Sequence, residues 1–233
     1  IHSHFSNTKS VRSIEMKSQT AYIDYKITGS ELVALLHEAY EVKKHKPHYN
    51  RLLRRRIFTW GLYAHQDLNG YINLSLKRNN RNNGTALVLF NNKKEGENFL
   101  YKQIEQYLLC QKLCGVYKSN NACFHHQIGL CKGACVGEEP AESYNQRVEE
   151  LIAAIAIPSD SYFIVDKGRH QQENAIVKIE NGIYKGYGFI DTTYTTQISH
   201  LHDAIQARDD EKDARAILRS FIGRKRYEKL IHY

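Results

Sequence analysis

Cys123-Phe124-His125-His126-Gln127-Ile128-Gly129-Leu130-Cys131-Lys132-Gly133-Ala134-Cys135-Val136-Gly137 holds three of the five cysteines of this chain, separated by seven and then by three residues. The other two, Cys110 and Cys114, stand four residues apart just upstream. An odd number of cysteines with no secretory signal argues against a disulfide framework. It favours reduced thiols in a cytosolic compartment. The stretch from Cys110 to Gly137 reads as irregular rather than helical or extended.

Outside this stretch the composition is that of a folded protein. Hydrophobic residues make up 42% and aromatic residues 11% of 233, which suits a globular protein rather than a disordered one. That length accommodates one large or two small domains. No apolar run approaches the ~20 residues of a membrane helix. Seven basic residues and no acid lie between Lys43 and Arg56: Lys43, Lys44, Lys46, Arg51, Arg54, Arg55 and Arg56. Without those seven charges the net +8 falls to +1, so the excess charge is concentrated in one segment. A concentrated patch favours a polyanion, because phosphate binding releases counterions. The plain alternative is a solvated basic face.

Upstream, Gln19 to Thr28 alternates Ala21, Ile23, Tyr25 and Ile27 with Tyr22, Asp24 and Lys26, which predicts a half-buried strand. Ser30 is placed to cap a helix from Glu31 to about Lys44, with Leu32, Leu35, Leu36, Ala39 and Tyr40 on one stripe and Pro47 ending it. Tyr71–Leu76 and Thr85–Phe90 read as strands joined by an Asn- and Gly-rich hairpin over 79–84. A helix over 95–109 leads into the cysteine segment, and Pro140 opens another carrying Tyr144, Val148, Leu151, Ile152 and Ile155.

Pro158-Ser159-Asp160 marks a boundary. Beyond it the pattern predicts strands over 162–166, 174–180 and 183–190, the last two joined by Asn181-Gly182. Helices over 198–207 and 211–222 and a short final strand complete a small α+β domain.

Two stretches carry a resemblance to a known family. Cys123 to Gly137 resembles the cysteine-rich segment of the UvrC excinucleases and their short Cho-like homologues. Ser30-Glu31-Leu32-Val33-Ala34-Leu35-Leu36-His37-Glu38, running on to Lys46-Pro47-His48-Tyr49-Asn50, resembles the second half of a GIY-YIG nuclease domain. The resemblance covers roughly residues 1 to 156. It implies an α+β chain in three parts. These are the C-terminal half of a GIY-YIG-type α/β domain (1–60), a UvrC-like region with a Cys-rich helical linker (61–157, cysteines in 110–137), and a small α+β domain (158–233).

The resemblance also implies an activity. It is metal-dependent DNA nicking in nucleotide excision repair, with Glu38 holding Mg²⁺ or Mn²⁺, Asn50 orienting the site and the Lys43–Arg56 run on the DNA backbone. A divalent ion suits this chemistry because phosphodiester hydrolysis builds charge that must be neutralised.

Carried over residue by residue, Cys114, Cys123, Cys131 and Cys135 match the family's four cysteines, for a 4Fe–4S cluster or, alternatively, Zn²⁺. Cys110, one helical turn earlier, is surplus to that set. Lys132-Gly133-Ala134 departs from the family's arginine-proline element before the last cysteine. His125 and His126 are taken as structural. The family's two tyrosines and arginine would precede Ile1, so this chain is expected to be the C-terminal part of a short homologue or of an exonuclease–GIY-YIG fusion related to the polymerase III epsilon subunit, inactive alone. A UvrB-like loading protein is the implied partner.

A non-catalytic DNA-binding or docking module is the other reading. Gly182-Ile183-Tyr184 with Tyr187-Gly188-Phe189 is not the missing motif pair, since two residues between them leave no room for a hairpin. Arg169, Lys185 and Arg224-Lys225-Arg226 read as ordinary surface charge.

Overall fold

Short polar side chains set where this chain turns helical. The computed structural model describes residues 10–49, 58–195 and 197–233. After α1 (Val11–Gln19), Ser30 Oγ accepts the Val33 amide and also donates to Asp166 at 2.5 Å, opening α2 (Glu31–His45). Lys46 then adopts a left-handed conformation that ends the helix just before Pro47.

The strand expected over 19–28 does not form. Gln19 closes α1, residues 20–29 are neither helical nor extended in a sheet, and Tyr22 and Tyr25 are 84% and 79% exposed. Alternation supplies a face but not a neighbour. Among the described residues no strand pairs with residues 20–29.

Three strands build the first sheet: β1 (Trp60–Gln66), β2 (Ile72–Arg78) and β3 (Val88–Phe90), in the order β2-β1-β3 and antiparallel throughout. β1 is absent from the sequence reading, and it corrects the hairpin expected over 79–84. Asn80 accepts the amides of Asn82 and Asn83, making a 3-10 turn that carries the chain past β1 instead of back along β2. The hairpin lies one connection earlier, where Asp67 Oδ1 accepts the Asn69 and Tyr71 amides. β1 evaded detection because, with a neighbour on each edge, Gly61, Leu62 and Tyr63 are all buried and show no alternation.

α3 (Lys93–Gln106), capped by Asn92, and α5 (Ala141–Ile155), opened by Pro140, cover one face of this sheet. Between them runs the cysteine segment, containing only the short α4 (Phe124–Gln127). Leu62, Leu74, Val88 and Phe90 meet Leu100, Ile104, Tyr144, Val148 and Leu151 here, and Cys110, Cys114 and Cys123 complete the same core.

The remaining residues form a five-stranded antiparallel sheet in the order β7-β6-β5-β4-β8. Its strands are β4 (Tyr162–Lys167), β5 (Glu173–Glu180), β6 (Ile183–Asp191), β7 (Ile205–Ala207) and β8 (Lys229–His232). Asn181 and Gly182 both take positive φ between β5 and β6, the two-residue turn their sequence requires. α6 (Ile198–Asp203) stops earlier than expected so that β7 can pair with β6, at a spacing only glycine permits. A Cβ on Gly188 would stand 1.9 Å from the Ala204 carbonyl oxygen.

One face of this sheet buries Phe163, Val165, Ile176 and Ile190 against Leu201 of α6. The other packs Tyr162, Ile164, Val177, Tyr184 and Tyr187 against α7 (Lys212–Gly223) and against Leu32, Val33 and Leu36 of α2. Phe58, Tyr63 and Leu89 join that core, so the two sheets share α7 between them. The fold class is α+β.

Candidate functional site

The cysteines converge because the chain between α3 and α5 is a succession of tight turns. Leu108 takes a positive φ after α3, the Cys114 amide donates to the Cys110 carbonyl at 2.9 Å, and Cys123 caps α4. Gly133 and Gly137, both left-handed, bracket a 3-10 turn at Ala134–Val136 that swings Cys135 back toward α4.

The sulfurs of Cys110, Cys123 and Cys135 all lie within 4.8 Å of one another, and those of Cys110 and Cys123 are 3.9 Å apart. Cys131 sits at the rim. Its sulfur accepts the Gly133 amide at 3.5 Å. Interaction with the Cys110 thiol is the largest cause holding Cys131 below the usual thiol range, and it pushes Cys110 up in turn. Burial raises Cys123.

Cys114, matched by resemblance as the fourth ligand, lies outside the close trio, as does Cys131, while Cys110 is within it. Burial pushes Cys114 up to about 12, and its sulfur stands 3.9 Å from the Tyr144 hydroxyl. The two cysteines are one turn apart with a backbone hydrogen bond between them. Sequence position alone does not tell them apart.

A tetrahedral zinc with Zn–S near 2.3 Å has sulfur–sulfur edges of about 3.8 Å. The Cys110–Cys123 separation suits that geometry, whereas a four-iron cube spreads its thiolates more widely. The donor set therefore fits a thiolate-bound metal. His126 is directed elsewhere, its Nε2 lying 2.7 Å from Glu138.

A buried polar strut holds the cluster against α5. Arg147 pairs with Glu139 through two contacts of 2.5 and 2.9 Å and donates to the Tyr107 and Leu108 carbonyls at the end of α3. The Tyr71 hydroxyl donates to the Glu139 carbonyl at 2.6 Å, while Asn145 accepts the Ile72 amide and donates to the Gly70 carbonyl. An Arg–Glu pair eight residues apart gave no sequence signal.

Glu38 lies on the exposed face of α2, with no hydrogen bond or ion pair among the described residues. Asn50, Arg51, Arg54, Arg55 and Arg56 fall outside the described residues. Lys43 is ion-paired with Glu211, Lys44 stands 5.9 Å over the Tyr40 ring, and Lys46 is the left-handed cap. A cavity of about 240 Å³ lies between α2 and α7, lined by Leu36, Tyr40, Lys43, Tyr184 and Arg208 among others. Beside it the Tyr187 hydroxyl meets His37 Nδ1 at 2.8 Å, and burial lowers the His37 pKa.

Most other basic residues singled out in sequence are bound to acids. Arg224 pairs with Glu95, Arg226 with Glu31, Arg169 with Glu173 at 2.5 Å, and Lys185 with Glu180 at 3.6 Å. No helix among the described residues is long and apolar enough to cross a membrane.

Residues 61–154 match the family model described as the UvrC/Cho excinuclease middle domain. The UvrABC system protein C of Methanosarcina acetivorans is 28% identical over 138 residues, covering 57% of this chain and 25% of that protein. Its counterpart in Lachnospira eligens is 26% identical over 190 residues, 74% of this chain and 28% of the relative. The Treponema denticola protein is 29% identical over 153 residues, 64% and 22% respectively. The chain thus spans about a quarter of the length of these curated relatives. No solved structure matches it.

Proposed function

We propose that this chain, which is UvrC-like through its middle region, serves a metal-dependent DNA endonuclease of nucleotide excision repair. The observation that carries the reading is the match over 61–154, which contains all five cysteines and the fold that gathers them. Its partners on this reading are DNA and a UvrB-type loading protein, with an exonuclease domain in the same polypeptide as a further element.

Cys110, Cys123, Cys131 and Cys135 would hold the structural metal, whose part is to tie the α3 end, α4 and the turn at 134–136 into one piece. Glu38 is exposed and has no ion pair among the described residues, so both its oxygens can face a hard cation that keeps most of its waters. Mg²⁺ or Mn²⁺ there would neutralise charge building on a scissile phosphate. Asn50 and the Lys43–Arg56 run complete the proposed surface.

The test is nicking of damaged duplex DNA in Mg²⁺ by the natural polypeptide and by its Glu38→Ala variant. A loss of at least about a hundredfold is expected, while equal rates would remove Glu38 from the chemistry. Elemental analysis and visible absorbance of anaerobically prepared protein then separate zinc from an iron–sulfur centre. Neither metal would overturn the cysteine assignment.

One observation favours a second reading, a non-catalytic DNA-binding or docking module. Among the described residues, the only group of three or more potential metal ligands that comes together is the cysteine trio, and Glu38 is not part of one. Nicking unaffected by Glu38→Ala together with retained DNA binding is the outcome that module predicts.

A further inference from the structure

We infer that one edge of α7, in residues 158–233, and the 79–85 turn together form a DNA-backbone groove. The inference rests on the nucleic-acid reading above and gives a role to the C-terminal unit.

α7 turns Ala214, Ile217, Leu218 and Phe221 into the core, which leaves Lys212, Arg215 and Arg219 on one side at i, i+3 and i+7. All three line a groove of about 540 Å³. Its opposite wall comes from the connection between β2 and β3, where Asn80 and Thr85 are exposed and offer an amide and a hydroxyl. At 1.5 Å of rise per residue the three cations span about 10 Å. A DNA strand rises roughly 3.4 Å along the helix axis per phosphate, so the row is long enough to reach more than one phosphate of a strand.

This edge differs in pairing from five other basic positions. Arg169, Lys185, Arg224, Arg226 and Lys43 all meet carboxylates, as described above. Lys212 and Arg219 have none among the described residues, and Arg215 meets Asp210 from a side chain that is 64% exposed. Asp213 also lines the groove and offsets part of the charge. The charge left over sits in a concave surface rather than on a convex one.

The groove also bridges the two sheets. A strand lying in it would touch α7 on one side and the β2–β3 turn on the other.

Binding of a fluorescent duplex, measured against salt for the natural polypeptide and its Lys212→Gln/Arg219→Gln variant, tests this. Two lost phosphate contacts should lower the slope of log K against log salt by about 2 and weaken binding about tenfold at moderate salt. The charge-keeping Lys212→Arg/Arg219→Lys variant should restore both, which excludes misfolding as the cause. An unchanged slope and affinity in the glutamine variant would overturn the groove while leaving the nucleic-acid reading intact. A parent polypeptide that binds no DNA would sink both.

Discussion

The cysteine region and the C-terminal sheet bury similar kinds of apolar residue by different means. In the C-terminal unit nine-residue β6 pairs with eight-residue β5, and both faces of the sheet are sealed by helices. There the backbone satisfies itself and side chains need only fit. Between Cys110 and Gly137 almost no regular structure exists, so carbonyls and amides are met by turns and by sulfur, while Arg147 and Asn145 satisfy the backbone at the flanking end of α3 and start of β2. A sheet tolerates loss of a polar contact and suffers from a cavity. A segment of turns should show the reverse.

The sharpest way to break this contrast is to remove one half of the buried strut. Glu139→Ala leaves the Arg147 guanidinium without its carboxylate and should cost about 3–5 kcal/mol in chemical denaturation. Near-wild-type stability would show that the cysteine region is held by packing after all. Phe163→Ala, in the fully buried outer face of the C-terminal sheet, should cost about 3–4 kcal/mol by opening a cavity. Hydrogen exchange should place that loss in β4, β5 and β8 and leave the cysteine region protected.

Asn145→Ala removes the acceptor for the Ile72 amide and the donor to Gly70, and about 1–3 kcal/mol should follow. Replacement of the α2 cap by Ser30→Ala should cost about 1 kcal/mol.

The smallest effect concerns pH. His37 is held below its ordinary 6.5 mainly by burial, so the folded chain keeps a neutral ring that the unfolded chain protonates first. Its contribution is complete above pH 6.5 and declines as pH falls below that value. Thermal midpoints should therefore drop on acidification, and His37→Asn should flatten that part of the profile. A profile unchanged by the substitution would remove His37 from the linkage.

The same contrast explains what the sequence disclosed. α2, α5 and the β5–β6 hairpin announce themselves because Ser30, Pro140 and Asn181-Gly182 carry their own local chemistry. β1 has continuous burial instead of a period, and β7 depends on two glycines of a neighbouring strand, so neither is visible in its own residues. The 21–27 alternation shows the opposite failure, a clear local pattern without a strand beside it. For the site, the motif names the cysteine segment, and three of its sulfurs lie close together. Which of Cys110 and Cys114 faces the others depends on the turn between them, and side-chain direction in a turn is set by the fold around it.

Because Leu32, Val33 and Leu36 are shared with Ile164, Val177 and Phe221, the helix bearing Glu38 has its seat in a sheet that begins more than a hundred residues downstream. Trimming the polypeptide after Ile155 would strip that seat away and expose a greasy stripe beside the lysines. A shortened version would then lose the orientation of its carboxylate even with every residue of α2 intact. Activity lost on such truncation would report a missing foundation, not a missing catalyst.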